Sequence, residues 1–312
     1  MNHYKIQVLL SIYNGERYLD EQLGSLMTQE DVDIHVLIRD DGSCDMSVNI
    51  INEYIKRYPN NITFYTGMNV GAKQSFFNLI VKSSEDFNYF CFCDQDDVWD
   101  SRKIINAINL IRENDLTQPI LYCSSTKMVN SQLKFINSWP NRPDRELTVY
   151  NAVLENIAVG CTIVMNANLM VLVKNNLPKN YGNVIMHDWW IYLCASCFGK
   201  VIFDPRPFIL YRQHNDNLLG GQTETFAIKW KKRYTRFVRN YYGKMLSTQA
   251  EEFFNIYMDQ LPNKEKTDLR TFIVKRDLNF FKRISYVLKT PMYKQRRLDS
   301  FFYRIKFVLR KL

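Results

Sequence analysis

YFCFCDQDDVWD, residues 89–100, sets a wholly apolar, aromatic run against a burst of acid. Tyr89 to Cys93 has the length and character of a strand buried on both faces. Asp94, Asp96, Asp97 and Asp100 then crowd four carboxylates into seven positions. Like charges at the mouth of a buried strand raise one another's pKa and oppose folding. Their crowding points to something bound there.

The segments on either side alternate in period. Lys5–Ile12 (KIQVLLSI), Ile34–Ile38 and Ile62–Tyr65 are short apolar runs that read as further buried strands. Glu16 to Met27, Ser47 to Tyr58 and Lys73 to Ser83 read as helices, the first with Leu19, Leu23 and Leu26 on one face. Strand–helix alternation with short loops predicts an α/β fold, a mostly parallel sheet flanked by helices. Ligands of such sheets bind beyond the carboxyl ends of the strands. Polar motifs stand at three of those ends: Tyr13-Asn14-Gly15, Arg39-Asp40-Asp41-Gly42-Ser43, and Asp94-Gln95-Asp96-Asp97. Further on, a helix follows residue 103, Ile120–Ser124 reads as strand and Ser138–Glu146 as loop. Val159–Met165 reads as strand, Asn166 to Asn175 and Asp188 to Cys197 as helices, and Lys200–Phe203 and Phe208–Tyr211 as short strands. From Thr225 to Leu312 the chain is aromatic and basic with helical periodicity.

Asp94 and Asp96 have one residue between them at a strand end, a spacing that points both side chains the same way on extended backbone. A hard divalent cation with oxygen ligands would relieve their repulsion. The cluster therefore reads as half of a Mg²⁺ or Mn²⁺ site, completed by substrate phosphates. The bland alternative is a solvated acidic turn in which Asp97 or Asp100 caps the next helix. Asp40-Asp41-Gly42 has its own bland alternative, a simple Asp-Gly turn.

Five motifs occur in order: SIYNGERYLDEQLGSL (11–26), IRDDGSCD (38–45), NVGAKQSF (69–76), FCDQDDVW (92–99) and HDWW (187–190). Together they resemble the family 2 glycosyltransferases of GT-A (Rossmann-like) fold, over roughly residues 5 to 220. The likeness is strongest to the bacterial branch that builds O-antigen and capsule. It implies an inverting, metal-dependent glycosyltransferase acting on a nucleoside-diphosphate sugar. Tyr13, Asn14, Gly15 and Glu16 would line the nucleotide site, and Asp40, with Asp41 beside it, would bond a pyrimidine base. Asn69, Gly71 and Lys73 would hold the nucleotide, with Gln95 beside them, and Asp94 and Asp96 would carry the metal. Asp188 falls where the family keeps the base that deprotonates the acceptor hydroxyl; capping of its helix is the other reading. Trp99, Gly160, His187, Trp189 and Trp190 would border the acceptor or sugar pocket, though paired Trp in a helix also suits a core. His187 stands where Glu is common in the family, so it would orient Asp188 or merely pack. Tyr211-Arg212-Gln213-His214 resembles rhamnosyltransferase-like members, which makes Arg212 and His214 candidates for a diphosphate clamp. dTDP-L-rhamnose is the donor this implies first, with UDP-hexose or UDP-N-acetylhexosamine as the alternative. A polyprenyl-diphosphate-linked or other glycan is the implied acceptor.

Charge divides the chain. From Gly221 onward there are 22 Lys and Arg against 8 Asp and Glu, and before it 19 against 24. This predicts a catalytic domain over residues 1–220, with a nucleotide half near 1–103 and an acceptor half near 104–220, and a basic helical extension over 221–312. Basic residues interleaved with Trp, Tyr and Phe suit amphipathic helices lying on an anionic membrane. Packing of one helical face on the rest of the chain is the plain alternative. A basic pI raises nucleic-acid binding, but the charge is confined to the end of the chain, so no nucleic acid is expected. No run approaches the length of a membrane-spanning helix and MNHYKIQVLLSIYNG is unlike a signal peptide. A cytoplasmic enzyme, peripheral on the inner face of the cell membrane, is the expectation. The seven cysteines mostly lie in apolar runs, and Cys194-Ala-Ser-Cys197 lacks the second pair of a zinc site.

Overall fold

The structure is a computed structural model that describes residues 4–213 and 241–311. Eleven strands occur among them: β1 (Tyr4–Ile12), β2 (Val32–Asp40), β3 (Ile62–Thr66), β4 (Tyr89–Cys93), β5 (Val98–Trp99), β6 (Ile120–Ser124), β7 (Thr126–Val129), β8 (Phe135–Trp139), β9 (Val164–Asn166), β10 (Lys200–Asp204) and β11 (Ile209–Arg212). The helices are α1 (Leu19–Met27), α2 (Ser47–Arg57), α3 (Ala72–Lys82), α4 (Lys103–Arg112), α5 (Val149–Ala152), α6 (Ala167–Lys174), α7 (His187–Phe198), α8 (Tyr241–Tyr257), α9 (Asn263–Arg276), α10 (Phe280–Lys289) and α11 (Arg297–Val308).

Two compact units are formed. The first takes Met1–Arg142, Ala158–Asn175 and Gly199–Gly221; the second takes Pro143–Ile157, Asn176–Phe198 and Gln222–Leu312. In the first, a seven-stranded sheet runs β10-β6-β9-β4-β1-β2-β3, parallel except for β9, which is antiparallel to β4 and β6. All five residues of β4 are buried, as its apolar run requires. Ile6, Val8, Leu10 and Ile12 of β1 share one core cluster with Leu19, Leu23 and Leu26 of α1, so strand and helix periods meet on one face. Each such side chain, fully buried, contributes about 1.5–3 kcal/mol. The mostly parallel, helix-flanked sheet expected from the sequence is therefore present.

Register sets the site. Ile12 of β1 pairs with Asp40 of β2, and Leu10 of β1 pairs with Cys93 of β4. The three polar motifs thus leave adjacent strands at the same edge.

A second sheet, β5-β11-β7-β8, is mostly antiparallel. Its short members β5, β7 and β8 carry no periodic run long enough to be read from sequence. Val159–Met165 does not form one strand: a 3-10 turn takes Gly160–Thr162 and only Val164–Asn166 pairs. An apolar run that short cannot tell strand from turn.

The second unit is helical. Trp190 of α7 is fully buried and packs edge-on to Phe253 of α8, with ring centroids 5.7 Å apart at 74°. Phe272, Tyr286, Tyr303 and Phe307 join α9, α10 and α11 in an aromatic cluster, Tyr286 lying 4.7 Å from Phe307. Among the described residues no helix is long and apolar enough to cross a membrane.

Candidate active site

The loop after β1 is locked to the loops after β4 and β2. The Tyr13 amide donates to Gln95 Oε1 at 2.8 Å and Gln95 Nε2 donates back to the Tyr13 carbonyl at 3.1 Å. Asn14 adopts the left-handed conformation (φ 47°) that its short polar side chain tolerates. Its amide donates to Ser43 Oγ at 2.9 Å and its Oδ1 accepts from the Cys44 amide at 2.9 Å. The Gly15 amide donates to Ser47 Oγ, and a Cβ on Gly15 would come within 2.7 Å of Gln95 Oε1. Glu16 accepts from the Met46 amide at 2.8 Å. Tyr13 stays 46% exposed at the rim.

Asp40 and Asp41 are both 2% exposed and do different work. Asp40 accepts from the amides of Gly42 and Ser43, closing the turn in which Gly42 takes φ 83°. Asp41 forms a buried ion pair with Arg39 and accepts from the amides of Val70 at 3.0 Å and Gly71 at 2.8 Å. Arg39 also donates to Ser75 Oγ and the Met68 carbonyl. This pair, which sequence reasoning missed, carries the Asn69–Gly71 loop to the start of α3. Asn69 and Gly71 are exposed, and Lys73 lies in the first turn of α3 with its ammonium held below the ordinary range by burial. A cation beside the positive end of a helix is unfavourable without an anion to share.

Beyond β4, Asp94 and Asp96 are half-buried and Asp97 is buried. Burial, then the nearby Asp96 and Asp94, push the Asp97 carboxyl well above the usual carboxylate range. Asp97 Oδ1 accepts from the Arg212 amide at 3.0 Å. Asp94, Asp97 and Cys161 each bring a ligand atom within 4.8 Å of the others. Burial, Asp97 and Asp94 also push the Cys161 thiol well up. Asp94 and Asp97 offer the carboxylate oxygens a hard divalent cation prefers, and Asp96, expected from the sequence to share the ion, is not one of the three groups gathered here. Gly160 precedes Cys161 in the 3-10 turn and is buried.

Arg212 is 2% exposed. Its guanidinium donates to the Asp96 carbonyl at 2.9 Å and the Ser131 carbonyl at 2.7 Å, pairs with Glu21, and lies over the Tyr18 ring. It is built into the support of the acidic loop. His214 lies outside the described residues. Trp99 is 3% exposed, with the Lys103 ammonium 3.3 Å from its ring centroid. Lys103 is 1% exposed; burial lowers its pKa, against which Cys91, Cys161, Cys93 and Asp97 raise it.

In the second unit, Asp188 is half-buried in the first turn of α7, where Oδ1 accepts from the Trp189 amide at 2.6 Å. His187 is 4% exposed and burial lowers its pKa to about 3, so it is neutral. Trp189 is half-buried and donates to the Ala152 carbonyl. Trp190 is core, which removes it from any surface. The segment before α7 is held by α8. Glu252 accepts from the amides of Lys179 and Asn180 and from Asn183 Nδ2, and Gln249 accepts from the Ile185 amide. No sequence pattern marks Glu252 or Gln249 as supports of Asp188's helix.

Residues 7–170 match the family model described as Glycosyl transferase family 2. The dTDP-rhamnosyl transferase RfbG of Shigella flexneri is 32% identical over 242 residues, covering 74% of this chain and 79% of that protein. Among solved structures, S. aureus TarS 1-349 in complex with UDP-GlcNAc aligns with a TM-score of 0.62 at 15% identity, over 97% of this chain and 81% of that one. The mannosyltransferase PcManGT of Pyrobaculum calidifontis, in complex with GDP-Man and Mn²⁺, aligns with a TM-score of 0.54 at 12% identity, over 100% and 86%. At these identities the structural likenesses bear on the fold alone.

Proposed function

The chain belongs to glycosyl transferase family 2, and from that premise we propose that it transfers rhamnose from dTDP-L-rhamnose to a lipid-linked glycan of a surface polysaccharide. It is a sugar-transferring enzyme of GT-A fold. The similarity to the Shigella flexneri dTDP-rhamnosyl transferase supports the donor. The observation that carries the reading is the register that sets the loops after β4, β1 and β2 side by side.

In this reading the Tyr13–Glu16 loop and Asp40 take the thymine and its ribose. Asn69, Gly71 and Lys73 take the diphosphate, Lys73 supplying the cation and α3 its first-turn amides. Asp94 and Asp96 would hold Mg²⁺ or Mn²⁺, the metal class bound by PcManGT. A divalent ion there supplies positive charge to the departing nucleoside diphosphate. Arg212 and Asp97 keep the acidic loop in place. Asp188 accepts the proton of the attacking acceptor hydroxyl, and displacement on the opposite face inverts the anomeric centre. His187, neutral and buried, precedes it in the first turn of α7. The basic C-terminal helices bring the enzyme to the inner face of an anionic membrane, where a polyprenyl-diphosphate-linked acceptor resides.

Calorimetric titration with dTDP-rhamnose, UDP-glucose and UDP-GlcNAc in the presence of Mn²⁺ tests the donor. Tighter binding of dTDP-rhamnose is expected; preference for a UDP-sugar replaces rhamnose by hexose or N-acetylhexosamine. Asp188→Asn is expected to keep donor affinity and lose turnover. Normal turnover in that variant removes Asp188 from the role of base.

A further inference from the structure

α10 has two unlike faces. Arg283, Tyr286 and Val287 are buried against the aromatic cluster. Phe281, 80% exposed, and Leu288, 74% exposed, stand seven residues apart, so they line up along the helix on the side given to solvent. Among the described large apolar side chains only Met68 is more exposed. Each is followed in sequence by a lysine, Lys282 and Lys289. These two, with Lys275 of α9, line a cavity of about 250 Å³. Asp268 is the one carboxylate in its wall and already accepts from the Tyr150 hydroxyl at 2.8 Å. Among the described residues no ion pair neutralises any of the three lysines.

Bulky apolar side chains left in water beside unneutralised cations suit an amphipathic helix at an anionic lipid interface. Ammonium groups around a cavity suit a phosphate oxygen. Two copies of the chain meeting by this face would set lysine against lysine, which disfavours a self-interface. We propose that this face of α10 docks on an anionic phospholipid bilayer, Phe281 and Leu288 entering the interface and Lys275, Lys282 and Lys289 holding a lipid phosphodiester. The proposal rests on the membrane-surface reading above and locates its contact.

Flotation of the full-length chain with phosphatidylcholine vesicles, with and without phosphatidylglycerol, tests it. Variants Lys282→Glu/Lys289→Glu and Phe281→Ser/Leu288→Ser alter exposed side chains, and an unchanged Tm with unchanged dTDP affinity shows that each folds. Binding to the phosphatidylglycerol vesicles only is expected, with partition weakened about 30-fold or more by the lysine pair. Loss of partition in the Phe281/Leu288 variant is expected as well, and inorganic phosphate at millimolar concentration is expected not to release the chain. Release by inorganic phosphate makes the cavity a site for free anion and overturns the lipid assignment. Vesicle binding retained by both variants removes this face while leaving a membrane enzyme. No vesicle binding by the unaltered chain removes the membrane reading too. A dimer dissolved by the same variants, without vesicle binding, assigns the face to a second copy.

Discussion

Asp41 and Arg39 are a structural pair where β2 runs into the loop that follows it. Both are buried, and Asp41 also holds the amides that lead into α3. Asp41→Ala leaves a buried guanidinium without its charge partner and two amides without an acceptor. A loss of about 3–5 kcal/mol is expected, read as a lower urea midpoint at unchanged m-value. Replacing both partners, Arg39→Met with Asp41→Leu, is expected to cost less than Asp41→Ala alone, since no orphan charge remains. A double variant less stable than the single one would mean the pair is net stabilising as a unit. His187 makes the second prediction at this scale. Unfolded histidine titrates near 6.5, whereas burial holds His187 at about 3. Below about pH 6.5 the unfolded chain takes up a proton that the folded chain refuses, so this residue's contribution to stability falls as pH drops toward 3. The stability of the wild type relative to His187→Gln is expected to decline by about 2 kcal/mol between pH 7 and pH 5. A pH-independent difference would show that the imidazole protonates in the folded chain.

Elements show what the amino-acid order discloses and what it hides. β1, β2 and β4 are legible because each is a compact apolar run ended by Asn-Gly or Asp-rich polar residues, and α1, α2 and α3 because Leu and Ile recur at helical spacing. β5, with two residues, is invisible to any periodic pattern, yet its pairing with β11 brings Arg212 to the acidic loop. The sequence makes Arg212 a candidate diphosphate clamp but does not show its pairing with Glu21, which lies 191 residues away. Trp190 is ambiguous for the same reason, since only α8 decides that it is core. α8 also supplies a prediction. Glu252 gathers two amides and an Asn183 side chain just before α7, fixing where the helix that carries Asp188 begins. Glu252→Ala is expected to lower kcat by about 10-fold or more while leaving donor KM near its original value, as loss of placement at the reacting centre does. A change confined to donor KM would sever Glu252 from Asp188. Glu252→Gln keeps an acceptor oxygen and is expected to recover part of the rate.

Across the whole chain, folding and donor binding are expected to be linked, because the loops after β1, β2 and β4 that form the proposed donor site exist side by side only when the sheet is formed. A ligand that binds the folded state alone stabilises it by about 2.7 kcal/mol at one hundred times its Kd. For a chain of this size that is a rise of a few degrees in Tm. dTDP with Mn²⁺ or Mg²⁺ is expected to produce this rise, and EDTA to abolish it. The acidic loop repels the diphosphate when no cation stands between them, so nucleotide without metal is expected to give little or no shift. Asp94→Asn is expected to remove the metal-dependent part, whereas Asp188→Asn, in the second unit, is expected to keep the full shift. The two variants therefore separate the proposed donor site at the strand ends from the proposed proton transfer at α7. A full shift in Asp94→Asn would place the diphosphate elsewhere on the molecule, and the crowding of acid at Asp94–Asp97 would then need another cause.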